Sequence, residues 1–215
     1  MNKFFSFFFL VLIPFLACNS DRCESVKVGS VNLLEDSVHY LPYTDGETLV
    51  FQSQNGDELI FVVDTQEETG RICVEYLCEL TADPFQSVPC EYYEAEGRRN
   101  VLRSTGDTLI IDMILGVENY EEESVLFYDL FGMHFSGIGG LASGYHIVDA
   151  QFSDPTLDPE NVFFDPLLQE IDMIEIEGQT FIDVLKTEAG SSEIIFKAGE
   201  GVLVLKYQDV YYFAI

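Results

Sequence analysis

Tryptophan is absent, histidine occurs three times, and 10 basic residues stand against 38 acidic ones in a chain of 215 residues. Affinity for nucleic acid comes mainly from Lys and Arg displacing counterions from phosphates, so this scarcity of cations excludes a nucleic-acid partner. The same field repels anionic lipid headgroups, which attract polybasic segments. Any hold on a membrane must come from something other than surface charge. No apolar run reaches the roughly 20 residues that a helix needs to cross a hydrocarbon core of about 30 Å. No window of twelve or more residues carries an apolar stripe of 3.6-residue period either, so helix content should be low.

What is present starts at the N-terminus. Lys3 gives a short positive start, Phe4 to Leu16 form an apolar run broken by Ser6 and Pro14, and Phe15-Leu16-Ala17-Cys18 closes it. That is the layout of a secretory signal peptide, residues 1–17. The cysteine directly after the small residue marks a bacterial lipoprotein signal, in which Cys18 receives the lipid and becomes residue one. A plain signal cleaved after Ala17 is the rival reading, since Phe15 stands where Leu is more usual. One acyl chain binds a membrane only marginally, whereas two or three hold a protein there. Losing Lys3 with the signal takes the formal charge from −28 to −29. Asn19, in place of the Asp associated with inner-membrane retention, points to the outer membrane.

Four further cysteines, Cys23, Cys73, Cys78 and Cys90, make an even set in an exported chain, and two disulfides are expected. Cys73 and Cys78 lie five apart in a run, Arg71 to Leu80, that alternates like a half-buried strand, so they face opposite sides and should not bond each other. Cys23 then pairs with one and Cys90 with the other. Zinc is disfavoured, because the C-x4-C spacing has no second close Cys or His pair.

Residues 18–36 read as a polar tether and 37–215 as one β-domain, a size usual for a single domain. Strand signals rich in Val, Ile, Phe and Tyr recur at His39–Tyr43, Leu49–Ser53, Leu59–Val63, Ile72–Leu80, Tyr92–Glu96, Thr108–Leu115 and Val125–Leu130. A second set closes the chain at Met173–Ile176, Thr180–Leu185, Glu193–Lys197, Val202–Lys206 and Val210–Ile215. Turns at Asp45-Gly46, Asn55-Gly56, Glu177-Gly178 and Gln208-Asp209 imply antiparallel hairpins. Roughly a dozen short strands in one all-β domain point to an antiparallel sandwich or a barrel-like sheet. Two stretches break the pattern: Gly132–Gly144, with five glycines, and Gln151–Pro166, with three prolines and four acids. Long loops are uncommon unless functional or disordered, so both are places to look for a site.

With its signal and Cys18, with Tyr40-Leu41-Pro42-Tyr43 before Gly46-Glu47-Thr48-Leu49-Val50-Phe51, and with Phe181-Ile182-Asp183-Val184 before Phe196-Lys197-Ala198-Gly199-Glu200-Gly201-Val202 and Leu203-Val204-Leu205-Lys206-Tyr207, the chain resembles the small lipid-anchored, β-rich envelope proteins of Bacteroidota. The motifs cover about a quarter of the chain, departing at Phe181, where Tyr is commoner, and in the missing Trp near the end. The resemblance implies a place in the cell envelope and supplies no mechanism.

Candidate chemistry is thin. Gly137-Ile138-Gly139-Gly140-Leu141-Ala142 matches G-x-G-x-x-A, but no helix follows it, as a dinucleotide site requires. Asp154, Asp158, Glu160 and Asp165 could supply oxygens to calcium, the one cofactor suggested, though no D-x-[DN]-x-[DN]-G loop is present. His39, His134 and His146, with Ser136 and Ser143, are the only material for a Ser-His-Asp arrangement, and the G-x-S-x-G elbow is missing. Tyr92-Tyr93 and Tyr211-Tyr212 each put one ring on either face of a strand, where an exposed ring can meet a sugar, a peptide or an envelope protein. The expectation is a non-catalytic, lipid-anchored envelope module that binds a ligand or serves structurally. The alternative is an exported calcium-assisted or carboxylate-based hydrolase using Gln151–Pro166.

Overall fold

The computed structural model describes residues 24–76, 89–106, 109–120, 126–137, 140–150 and 168–215. They hold twelve strands: β1 (Val26–Val31), β2 (Thr48–Ser53), β3 (Glu58–Tyr76), β4 (Cys90–Ser104), β5 (Ile110–Tyr120), β6 (Leu126–Gly137), β7 (Gly140–Ala150), β8 (Gln169–Ile176), β9 (Gln179–Ala189), β10 (Ser192–Lys197), β11 (Gly201–Tyr207) and β12 (Val210–Ala214), with a short 3-10 turn at Asp36–Tyr40. Eleven of them form one curled half-barrel in the order β7-β6-β5-β4-β3-β2-β12-β11-β10-β9-β8, antiparallel at every step. The all-β, barrel-like architecture expected from the strand spacing is the one observed.

Alternation explains the curl, since every second residue of each strand turns to one face. On the concave face Leu102 opposes Ile111, Ile111 opposes Phe135, Met113 opposes Met133 and Leu115 opposes Phe131, all almost fully buried in the main core. Each such side chain contributes roughly 1.5–3 kcal/mol on burial. A second core of Ile176, Val184, Ile195, Val204 and Phe213 covers the opposite face of the β8–β12 half. There the β8–β9 hairpin folds back, its Phe181 ring stacked 6.3 Å from Phe213 and its turn bonded from Gln54 Nε2 to Glu177 O.

Four elements differ from expectation. Val26–Val31, assigned to the tether, is a strand paired in parallel with Glu91–Ala95 of β4. β5 pairs with β4 only from Gly97 to Arg103, so the edge of β4 beyond it is open and β1 takes it. Only Val31 of β1 is buried, which is why the segment reads as polar. His39–Tyr43 is no strand: it spans the end of the 3-10 turn and an extended piece at Pro42, a residue with no N–H for a ladder. β3 is 19 residues long, joining two expected strands through the polar run Asp64–Thr69, which lies opposite Glu96–Val101 with Glu67 facing Arg98 and with Gln66 to Thr69 exposed. Lastly, the described residues of Gly132–Gly144 are strand: Gly132–Gly137 belongs to β6 and Gly140–Gly144 to β7, paired with each other. Their glycines admit close neighbours instead, and a Cβ at Gly144 would stand 2.7 Å from Leu168 Cδ2.

One disulfide joins Cys73 of β3 to Cys90 of β4. It agrees with the inference that Cys73 does not bond Cys78; Cys23 and Cys78 lie outside the described residues.

Candidate functional site

The two ends of the sheet approach each other without zipping together. Among the described residues β7 pairs with β6 alone and β8 with β9 alone. Among the described residues the ends are linked by Leu168 N donating to Tyr145 O at 2.8 Å and Thr187 Oγ1 donating to Ser143 O at 3.0 Å. Past this clamp, Ile147 and Val148 of β7 and Ile171 and Asp172 of β8 flank a cleft of about 420 Å³. Its remaining walls are Asp183 to Leu185 of β9, Ala198 of the β10–β11 turn, and Tyr40 at the end of the 3-10 turn.

The floor is aromatic. Tyr40 lies nearly parallel to Phe196 and 5.2 Å from Phe131, and it stacks on the His146 ring with centroids 5.6 Å apart. His146 faces inward because its cross-strand partner is Phe131, a core residue. Tyr40 Oη lies 3.3 Å from His146 Nε2, and His146 Nδ1 lies 3.4 Å from Glu170 Oε1. When Nε2 accepts from the phenol the ring proton stands on Nδ1, the nitrogen that faces the Glu170 carboxylate. Burial holds the His146 pKa below its ordinary value, opposed by the charge of Glu170, so the ring is neutral at pH 7. Burial, then Glu170, raises the Tyr40 pKa.

The rim is acidic. Asp172 and Asp183 face each other across β8 and β9, between the paired positions Ile171–Val184 and Met173–Ile182. Asp183 has a φ of 55°, a left-handed conformation that Asp tolerates better than most residues. Past this kink Val184 and Leu185, consecutive and so on opposite faces of the strand, are buried in the outer core and the main one respectively. The carboxylates of Glu170, Asp172 and Asp183 meet no Lys or Arg in the cleft lining.

Of the candidate site residues that the structure describes, only His146 lines this cleft. His39 is exposed, and its carbonyl accepts from Gly199 N. Ser143, His134 and Asp112 fall in one row across β7, β6 and β5. That row is not a triad, because Asp112 gives both oxygens to Arg99 and His134 meets the Tyr145 ring edge-on. Ser143 and His146, three apart on β7, face opposite sides. Tyr93 packs on Phe127 and Tyr211 receives Lys206, so these rings have partners within the chain. Cys18, Cys23, Cys78 and the calcium candidates Asp154, Asp158, Glu160 and Asp165 lie outside the described residues. Glu170, Asp172 and Asp183 escaped notice in a chain full of acids. Only Asp183 left a trace, as the lone polar residue in Phe181-Ile182-Asp183-Val184-Leu185.

Comparison with protein-family models, with curated proteins and with solved structures finds no match to this chain.

Proposed function

We propose that this chain is a lipid-anchored module of the bacterial cell envelope, held in the outer membrane through Cys18, and that it binds its ligand in the cleft at the unclosed end of the sheet. The observation that carries the binding role is the cleft itself, in which a stacked aromatic floor adjoins a rim of carboxylates that meet no Lys or Arg among the described lining residues. Ligand sites commonly combine an apolar, pre-formed body with a few polar groups that fix orientation. Here Tyr40, His146 and Glu170 hold one another in place before any ligand arrives, and ordering them in advance lowers the entropic cost of binding. The acidic rim favours ligands that donate hydrogen bonds or carry positive charge.

Two experiments test this. Mass spectrometry of the natively expressed protein should show diacylglyceryl and acyl groups on Cys18, and Cys18→Ala should leave the membrane fraction; an unmodified Cys18 would remove the anchor. A thermal-shift screen of envelope saccharides and short peptides should yield stabilising compounds, because a ligand at 100 times its Kd adds about 2.7 kcal/mol. The shifts should vanish in Glu170→Gln/Asp172→Asn. Shifts that survive this double variant, or no shifts at all, would refute the cleft as the binding site.

A further inference from the structure

The connectivity of the sheet says more about what the cleft takes. Its eleven-strand path contains ten antiparallel pairings, so direction reverses ten times and the two end strands, β7 and β8, run in the same sense. They cannot close on each other in the antiparallel manner of the rest. A single additional strand of opposite sense would be antiparallel to both. The space such a strand would enter is flanked by the cleft residues of β7 and β8, and among the described residues β8 pairs on one edge only, leaving the other open as far as Ile176. An exposed strand edge presents a row of backbone donors and acceptors that pairs readily with an extended peptide.

Side chains along that edge specify the visitor. Glu170, Asp172 and Glu175 of β8 and Asp183 of β9 are exposed, and no Lys or Arg lines the cleft among the described residues. Met173 and Ile182, opposite each other across the same two strands, are 69% and 55% exposed, far more than any core residue. The pattern is a small apolar foothold within carboxylates. A second copy would bring the same acids together at β8, and residues 151–167 add Asp154, Asp158, Glu160 and Asp165 without one Lys or Arg, so charge disfavours both as occupants.

Building on the cleft as a binding site, we propose that its occupant is an extended, cationic peptide segment that joins the sheet as an added strand along β8, its Lys or Arg side chains meeting Glu170, Asp172 and Asp183 and its apolar side chains resting on Met173 and Ile182. Backbone pairing supplies affinity and the alternating side chains supply selection.

The test uses the purified full chain and a fluorescent eight-residue peptide of alternating lysine and valine, followed by anisotropy at low salt. Saturable binding is expected. It should weaken about tenfold in Glu170→Gln/Asp172→Asn/Asp183→Asn, whose melting temperature serves as the folding control. N-methylation of alternate peptide nitrogens should abolish binding, because it removes the strand's donors while keeping its charge. Spermidine at matched charge should compete no better than sodium chloride. Equal binding of the N-methylated peptide, equal binding to the triple variant, or absence of binding would each overturn the proposal. Saccharides whose shifts depend on the cleft, alongside a peptide that does not bind, would sink strand addition and leave the cleft standing as a site.

Discussion

At the residue scale, three side chains hold the site in shape. Tyr43 Oη accepts from Val202 N at 2.6 Å, and burial pushes its pKa up to about 12 despite that bond. The hydroxyl sits where a Cβ of Gly201 would be, and Gly201 has a φ of 87°, so both space and backbone require glycine there. Tyr43→Phe leaves a buried N–H unsatisfied and should cost about 1–3 kcal/mol; Gly201→Ala should cost more, both read from urea midpoints. Asp183 is the second. Asp183→Asn should be near neutral, whereas Asp183→Val, β-branched at a positive φ, should lose about 1–3 kcal/mol. Equal stability of the two variants would show that the kink does not depend on this residue. The third is His146. Its folded pKa lies below the unfolded value near 6.5, so the unfolded chain binds the proton more readily in between. The stabilising contribution is therefore complete above about pH 6.5 and is lost as pH falls toward the folded pKa. The groups around the ring are Tyr40, Glu170, Asp172 and Asp183. His146→Gln should flatten the stability profile between pH 7.5 and pH 5 relative to the parent; an unchanged slope would mean that the ring does not titrate with folding.

At the scale of elements, the β3–β4 ribbon is the longest pairing and the one most in need of a staple, because past Asp64 its β3 face is largely exposed. Arg99 supplies part of it, bidentate to Asp112 and 3.5 Å from Glu68. The Cys73–Cys90 bond supplies the rest at the far end, enclosing 17 residues of separation. Loops of that size correspond to about 3 kcal/mol of lost unfolded-state entropy. Cys73→Ala/Cys90→Ala should accordingly lower the unfolding free energy by up to about 3 kcal/mol, with amide exchange accelerating first in β1 and the outer ends of β3 and β4. Exchange rising first in β10–β12 would contradict this. The contrast between these regions also explains which strands were legible in the sequence. β10, β11 and β12 announce themselves because dense apolar residues are bounded by turn residues such as Gln208-Asp209, both at positive φ. β1 and the middle of β3 are held by pairing and charge and bury little, and the β6–β7 pair carries glycines where Tyr145 presses on Gly132 and Leu168 on Gly144, so hydrophobic period misses them. The cleft was less legible still: Tyr40 and His146 are 106 residues apart, and only the curl of the sheet makes them neighbours.

For the whole molecule, the governing quantity is a formal charge of −28. Such a charge repels itself most strongly in the compact state, which makes folding sensitive to screening. Ion pairs act in the opposite direction, since salt weakens exposed ones such as Lys27–Glu94, whose partners are both about two-fifths exposed. Magnitudes decide the balance. Exposed pairs contribute about 0–1 kcal/mol each, and with 10 cations among 38 acids most carboxylates have only other carboxylates for company. Repulsion should win. Raising sodium chloride from about 20 mM to about 500 mM shortens the Debye length from roughly 20 Å to roughly 4 Å. The melting temperature should then rise by several degrees, given about 2–4 °C per kcal/mol for a chain of this size. The same salt should release a cationic peptide from the cleft, so stability and affinity should move in opposite directions along one titration. A melting temperature that falls with salt would mean that the few ion pairs outweigh the field of the whole surface, and that the acidic rim of the cleft is compensated by cations outside its lining.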